Sequence, residues 1–345
     1  MRELNIYLVF LSLLALLNLS SCAPVKGNVY PLPSAYLGEK TLFAELTRLC
    51  EIHPALAQLR IIGFSGAENL PIYALEIGAN KSAKPLLIIG QHHGDEVLGL
   101  NISLAFCEKL ITSYKSDPAY RKLLDSYRFW VIPTINPEGF RVVSSGEYQF
   151  KRKNNRDTNA NKQLDLRTDG VDLNRNYPVF WDIDPDSNIN SPYYKGSEPM
   201  SESETRAVIS LAQKHNFELA IFLHSSASGA YSEKLYLPAQ GNDSPLYLQT
   251  LQLAQNYAKS VKRDYGSGTY EVHTGISSEV GNARNFFFHR MGAKAFLVEV
   301  GGINKQGQSV IHPPEKMLHR IVQKHTRALG NLFLEYSAAS AADKK

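Results

Sequence analysis

The chain has 345 residues, 43% of them hydrophobic and 20% charged, with a formal net charge of +4 at pH 7. This is the make-up of an ordinary folded protein, long enough for one large domain or two modest ones. So mild a charge, with no helix or ribbon of clustered Lys and Arg, excludes a dedicated nucleic-acid surface; the one dense basic stretch, Lys151-Arg152-Lys153 with Arg156 behind it, lies in a polar loop.

At the N-terminus, Leu8 to Leu17 is almost wholly apolar yet short for a membrane span. Arg2 supplies a positive flank, weakened by Glu3, and the pattern predicts a signal peptide over 1–21. It closes on Leu19-Ser20-Ser21-Cys22, which resembles the lipobox of bacterial lipoproteins, where the cysteine is acylated and becomes the mature N-terminus. A plain secretory signal that happens to end in cysteine is the alternative. Acylated Cys22 would tether the domain to a membrane through a leash over 23–38. The expected location is therefore extracytoplasmic, at a bacterial cell envelope, lipid-anchored or secreted. The short leash leaves no room for a long inhibitory pro-segment, so no activation beyond signal removal is expected. For Cys50 and Cys107 an oxidising compartment would permit a disulfide, and two buried thiols fit as well.

Leu42, Leu46 and Leu49 recur at helical spacing and predict a helix over Glu39–Ile52. Leu59–Phe64 and Pro71–Ile77 read as a hairpin across a Ser-Gly turn. Leu86–Gly90 is a short apolar run suited to a strand buried on both faces. A helix over Leu98–Tyr114 follows, then strands over Phe129–Ile135, Ala220–Leu223 and Ala295–Val300. Further helices are predicted over Ser201–His215, Pro245–Lys262 and Glu315–Tyr336. Residues Gly139 to Pro199 show no clear periodicity, and so long an irregular segment is usually functional. Strands alternating with helices predict one α/β domain over 39–338, with a mixed, mostly parallel central sheet flanked by helices on both faces. A disordered tail is expected at 339–345, and a monomer.

In open α/β sheets ligands sit at the carboxyl ends of strands. His93 and Glu96 follow the run ending at Gly90, His224 ends Ile221-Phe222-Leu223, and Glu299 lies among apolar neighbours in Phe296 to Val300. An imidazole and a carboxylate three residues apart can face one metal ion, and catalytic zinc takes three N/O ligands with one open position. A carboxylate such as Glu299 in apolar company needs a partner, for which a metal-bound water would serve and a salt bridge is the bland alternative.

Several signatures occur in order: His93-x-x-Glu96, Asn136-Pro137-Glu138-Gly139, Arg152-Lys153-Asn154, Gly170 to Tyr177, Tyr194-x-Gly196 leading to Ser201-Glu202, His224-Ser225 and Glu299. Together they make the chain resemble the zinc metallocarboxypeptidases of the carboxypeptidase A/B type, from about Leu59 to Tyr336. The resemblance implies that His93, Glu96 and His224 hold one Zn²⁺ per chain. It implies Glu299 as the general base, Arg152 as the oxyanion stabiliser, and Asn174 with Arg175 as the clamp on the substrate's terminal carboxylate. It also implies a mobile tyrosine over the substrate, for which Tyr270 is the candidate. His92 and Asp95 repeat the ligand spacing, but His92 is expected to flank the site. His53, His215, His312, His319 and His325 are read as surface or helix histidines. Ser277 and Ser278 fall near the expected specificity pocket, which suggests neither a basic nor an aromatic preference.

The implied function is zinc-dependent hydrolysis of the C-terminal bond of peptides with a free terminal carboxylate. The nearest alternative is a cell-wall muropeptide amidase or carboxypeptidase of the same superfamily. A small-molecule deacylase and a catalytically dead binding lipoprotein are the others. The expected partners are a peptide or muropeptide substrate and, through the lipid anchor, a membrane.

Overall fold

The computed structural model describes residues 32–342 except 227, 242, 265, 266, 274, 276, 305, 307 and 308. The signal segment and Cys22 lie outside the described residues. Strands β1 (Ala57–Phe64), β2 (Pro71–Ile77), β3 (Lys84–Ile89), β4 (Tyr127–Ile132), β5 (Leu219–His224), β6 (Lys234–Tyr236), β7 (Glu271–Val272) and β8 (Lys294–Glu299) form one sheet. Its order is β1-β2-β4-β3-β5-β8-β6-β7. The middle of the sheet, β4-β3-β5-β8, is parallel, and antiparallel pairings of β1 with β2, β2 with β4 and β6 with β8 flank it.

Alternation along the central strands divides the core. Leu86 and Ile88, Phe129 and Val131, Ile221 and Leu223, and Phe296 and Val298 face one side. There they meet α1 (Glu39–Ile52), α2 (Val97–Ser116), α3 (Pro118–Ser126), α6 (Pro245–Ser260) and α8 (Glu315–Ala342). Leu87 and Ile89, Trp130 and Ile132, Ala220 and Phe222, and Ala295 and Leu297 face the other, against α5 (Ser203–His215) and α7 (Ala283–His289). A strand covered on both faces has no polar side, which is why these runs are continuously apolar. The expected α/β architecture is therefore present.

Five short elements were not anticipated: α3, α4 (Pro137–Ser145), α7, β6 and β7. α8 also runs through Ala342, past the boundary at 338 where a disordered tail was expected. Its last residues are mostly Ala, the strongest helix former. No helix among the described residues is long and apolar enough to cross a membrane. Cys50 and Cys107 are free thiols, Cys107 buried and Cys50 half-buried.

A candidate metal centre and its cleft

β3 delivers the chain to a turn at Gly90–Glu96, after which α2 begins. Gly94 donates its N–H to the Arg152 carbonyl at 3.0 Å. A Cβ at Gly94 would fall 2.4 Å from the Gly139 carbonyl carbon and 2.6 Å from the Lys151 oxygen, so only glycine lets the turn lie between those segments. The turn thereby presents His93 and Glu96 inward, and β5 ends with His224 beside them. His93 Nδ1 is 2.7 Å from Glu96 Oε1, His224 Nδ1 is 2.9 Å from Glu96 Oε2, and the two Nδ1 atoms are 3.2 Å apart. All three side chains are buried, and a ligand atom from each lies within 4.8 Å of the others.

Hydrogen bonding supports a cation at this point. His93 Nε2 is 3.0 Å from Asp172 Oδ1, and Arg152 and His93 hold the Asp172 carboxyl well below its usual range against the opposing effect of burial. Asp172 is thus an acceptor, the proton of His93 sits on Nε2, and the Nδ1 lone pair faces Glu96 and His224. Burial and Arg152 lower the His93 pKa, yet Glu96 and Asp172 outweigh them and push it to about 9. Burial would raise the Glu96 carboxyl, but His93 and His224 hold it far below the carboxylate range. Burial brings His224 down to about 4 and keeps it neutral. A neutral His224, an ionised Glu96 and a His93 whose extra proton a bound cation would displace, together in a buried cluster that attracts positive charge, are a donor set that fits zinc.

Around this cluster stand the other predicted residues. The β5–β8 register places Glu299 directly beside His224. Glu299 Oε2 is buried without a hydrogen-bond partner, and burial together with Glu96 pushes the carboxyl up to about 8. Arg152 donates from Nε and Nη2 to Asp172 Oδ2 at 3.1 and 2.8 Å and from Nη1 to Glu96 Oε1 at 3.3 Å. Asn174 lies on a single 3-10 turn, Leu173–Arg175, capped by the Asp172 side chain. Its Nδ2 is 3.4 Å from His224 Nε2, and its Oδ1 accepts the Ala283 N–H at 3.0 Å. Arg175 donates to the Asn174 carbonyl at 3.0 Å, and its buried Nε makes no hydrogen bond but lies in a loose ion pair 3.9 Å from Asp184 Oδ2. The exposed Tyr193 ring stands 5.1 Å from the Arg152 guanidinium and 5.5 Å from that of Arg175.

The remaining signatures are braces. Asn136 donates to the carbonyls of His92 and Arg152 at 3.2 and 3.1 Å while capping α4. Fully buried Glu138 accepts N–H groups of Ala67, Glu68 and Asn155 at 2.8, 2.8 and 2.9 Å, tying the β1–β2 turn to the Arg152 loop. Asn176 binds the carbonyls of Lys195 and Glu198 and the Ser201 hydroxyl. Lys151 and Lys153 donate to loop carbonyls, including those of Asp169 and Thr168, so the basic stretch is largely internal.

Tyr270 is a correction. It is 3% exposed, its hydroxyl donates to the Gly301 carbonyl at 3.2 Å, and its ring meets His325 edge-on at 5.1 Å. His325 is itself fully buried and 2.8 Å from the Tyr257 hydroxyl, so Tyr270 belongs to a core network between β7 and α8 and does not reach the cleft. His92 flanks the site as expected, stacked on His224 with ring centroids 5.1 Å apart and 3.2 Å from the Tyr177 hydroxyl. Sequence reading missed Asp172, although it precedes Asn174-Arg175 within a quoted signature. It also missed Tyr193, Asp184 and Arg284, for which no motif or periodicity gave a signal.

The zinc carboxypeptidase family model matches residues 43–328. The chain belongs to the zinc carboxypeptidase family. Mast cell carboxypeptidase A of Mus musculus is 32% identical over 226 residues, 62% of this chain and 48% of that protein. An inactive metallocarboxypeptidase of Talaromyces marneffei is 26% identical over 305 residues, 78% of this chain and 49% of that protein. The chain thus spans about half the length of the curated relatives it matches. Carboxypeptidase A from Helicoverpa armigera superposes with a TM-score of 0.74 at 19% identity, covering 89% of this chain and 75% of that one. At that identity the likeness shows the fold.

Proposed function

We propose that this protein is a zinc-dependent carboxypeptidase that hydrolyses the last peptide bond of substrates with a free terminal carboxylate. One observation carries the reading: His93, Glu96 and His224 converge in a buried cluster one strand register from the orphaned Glu299 carboxyl. An inactive relative shows that family membership alone does not give activity. Here three ligands, a carboxylate, a cation and a clamp pair all stand around one point.

Bound zinc would be held by those three side chains and would supply a Lewis acid that polarises the scissile carbonyl and acidifies a water. Glu299 takes the attacking water's proton at its unpartnered Oε2 and returns it to the leaving amine. Arg152, fixed by Asp172 and Glu96, offers a permanent positive charge where the carbonyl oxygen becomes anionic. Arg175 and Asn174 grip the terminal carboxylate, for which the planar guanidinium fork is suited. Asn174 is itself held between His224 and the start of α7, so the clamp is registered against the metal ligands.

The same machinery serves peptides and muropeptides, and the leader ending at Cys22 is what favours an envelope substrate. We place the enzyme at the outer side of a bacterial membrane, anchored through that cysteine. The test is hydrolysis of matched peptides with free and amidated C-termini, alongside muropeptides, with and without a chelator. Cleavage that ignores the amide contradicts the exopeptidase reading.

A further inference from the structure

Arg284, on the first turn of α7, has no role in the scheme above. It is 5% exposed, its Nε is buried without a partner, and its guanidinium makes no hydrogen bond or ion pair among the described residues. A buried cation left unpaired costs several kcal/mol by order of magnitude, so folded proteins rarely keep one without a use. The buried lysines are answered, Lys151 by the Asp169 carbonyl, Lys153 by three loop carbonyls and Lys195 by the carbonyls of Trp181 and Asp184, and half-buried Arg152 is answered by two carboxylates.

The position of Arg284 is fixed by the clamp. The preceding residue, Ala283, donates its N–H to the Asn174 side chain at 3.0 Å. Gly281 accepts the Tyr177 N–H at 2.8 Å, and a Cβ there would lie 2.4 Å from the Arg175 oxygen. The start of α7 is therefore pressed onto the Asn174-Arg175 turn. Burial lowers the Arg284 pKa to about 10, and the next influences are the like charge of Arg175 and the opposite charge of Glu299. Arg284 thus follows directly on the residue bonded to Asn174 and lies within electrostatic reach of Arg175 and Glu299.

Resting on the carboxypeptidase reading, we propose that Arg284 selects substrates whose C-terminal residue carries an acidic side chain, glutamate or aspartate. Two guanidiniums, Arg175 and Arg284, then receive two carboxylates of one residue, the backbone one and the side-chain one. Arg284 gains its missing partner only when such a residue is bound. A neutral isostere leaves the cation buried and unanswered, and a basic side chain adds repulsion, which is discrimination by an unpaired charge.

The experiment compares N-acyl dipeptides ending in glutamate, glutamine, leucine and lysine, together with calorimetric binding of free L-glutamate and L-glutamine to the zinc-loaded enzyme. We expect kcat/KM for glutamate to exceed that for glutamine by about 30-fold or more, and glutamate to bind at least about 10-fold tighter. Arg284→Met should bring both ratios to within about threefold of unity. The wild-type ratios need no variant, so a misfolded variant does not blunt the test. Cleavage of neutral-ended peptides with glutamate and glutamine alike overturns the Arg284 assignment and leaves the exopeptidase reading standing. Equal binding of the two amino acids also overturns it. Preferential glutamate binding without hydrolysis of any free-acid peptide supports Arg284 and sinks the reading of the reaction.

Discussion

At the scale of single residues, the account divides labour among side chains that touch. Glu299 and the metal ligands are neighbours but not substitutes. Glu299→Gln keeps the size and loses the basicity, so metal content should stay at the wild-type level while kcat falls about 10²- to 10⁴-fold. A variant with near wild-type turnover removes Glu299 from its role. Asp172 fixes the His93 ring through a 3.0 Å contact, so Asp172→Ala should weaken metal affinity about 10- to 100-fold, measured by competition with a chromogenic chelator. Unchanged affinity would mean that the ring is oriented by something else. Arg175→Ala should raise KM for free-acid peptides and shrink their advantage over amides. The convergence of His93, Glu96 and His224 was legible because metal ligands need particular residue types, here at and just after strand ends. Tyr270 was misplaced because spacing to a glycine says nothing about which way a tyrosine points, and here its ring is drawn into the core by His325. Arg284 was invisible because an unpaired charge is a property of surroundings.

At the scale of elements, the long periodic segments were readable and the short ones were not. α1 and β2 match their expected limits, whereas α3 and α4 are nine residues each, too short for their apolar faces (Tyr120, Leu123 and Leu124 in α3, Phe140 and Val143 in α4) to repeat over many turns. Their signal lay in the caps. Asp117-Pro118 and Asn136-Pro137 each set a capping side chain before a proline at the first helical turn. α5 carries a testable burden in its own first turn. Glu204 is fully buried, and burial followed by the nearby Glu138 pushes its carboxyl up to about 7. The folded state therefore holds this proton more tightly than the unfolded chain does. Its stabilising effect is fully present below the unfolded pKa near 4.5 and is lost as pH rises through about 7. The loss amounts to about 3 kcal/mol at most. Thermal melts of the metal-loaded protein at pH 5 and pH 8 should show this decline, and Glu204→Gln should flatten it. An equally steep profile in the variant would assign the pH dependence to other groups.

At the scale of the whole molecule, the candidate metal centre draws its residues from segments far apart in sequence: the β3–α2 turn and the end of β5, beside the end of β8 and the Arg152 loop. The central sheet could be anticipated from its continuously apolar strands, but its order could not, since strand pairing is set by contacts between distant segments. If Cys22 is the anchor, Cys22→Ala should move the protein from the membrane fraction to the soluble one, and continued sedimentation with membranes would remove the lipobox from the account. Because the ligands come together only in the folded chain, zinc at 100 times its dissociation constant should stabilise the fold by about 2.7 kcal/mol.

The most direct measurement is the zinc content of the purified protein beside that of His224→Ala, by elemental analysis after dialysis against the same buffer, with hydrolysis of one free-acid peptide followed in parallel. The account predicts one zinc per chain and chelator-sensitive cleavage for the wild type, with both lost in the variant. Stoichiometric zinc retained by His224→Ala, or cleavage untouched by removal of the metal, would contradict it.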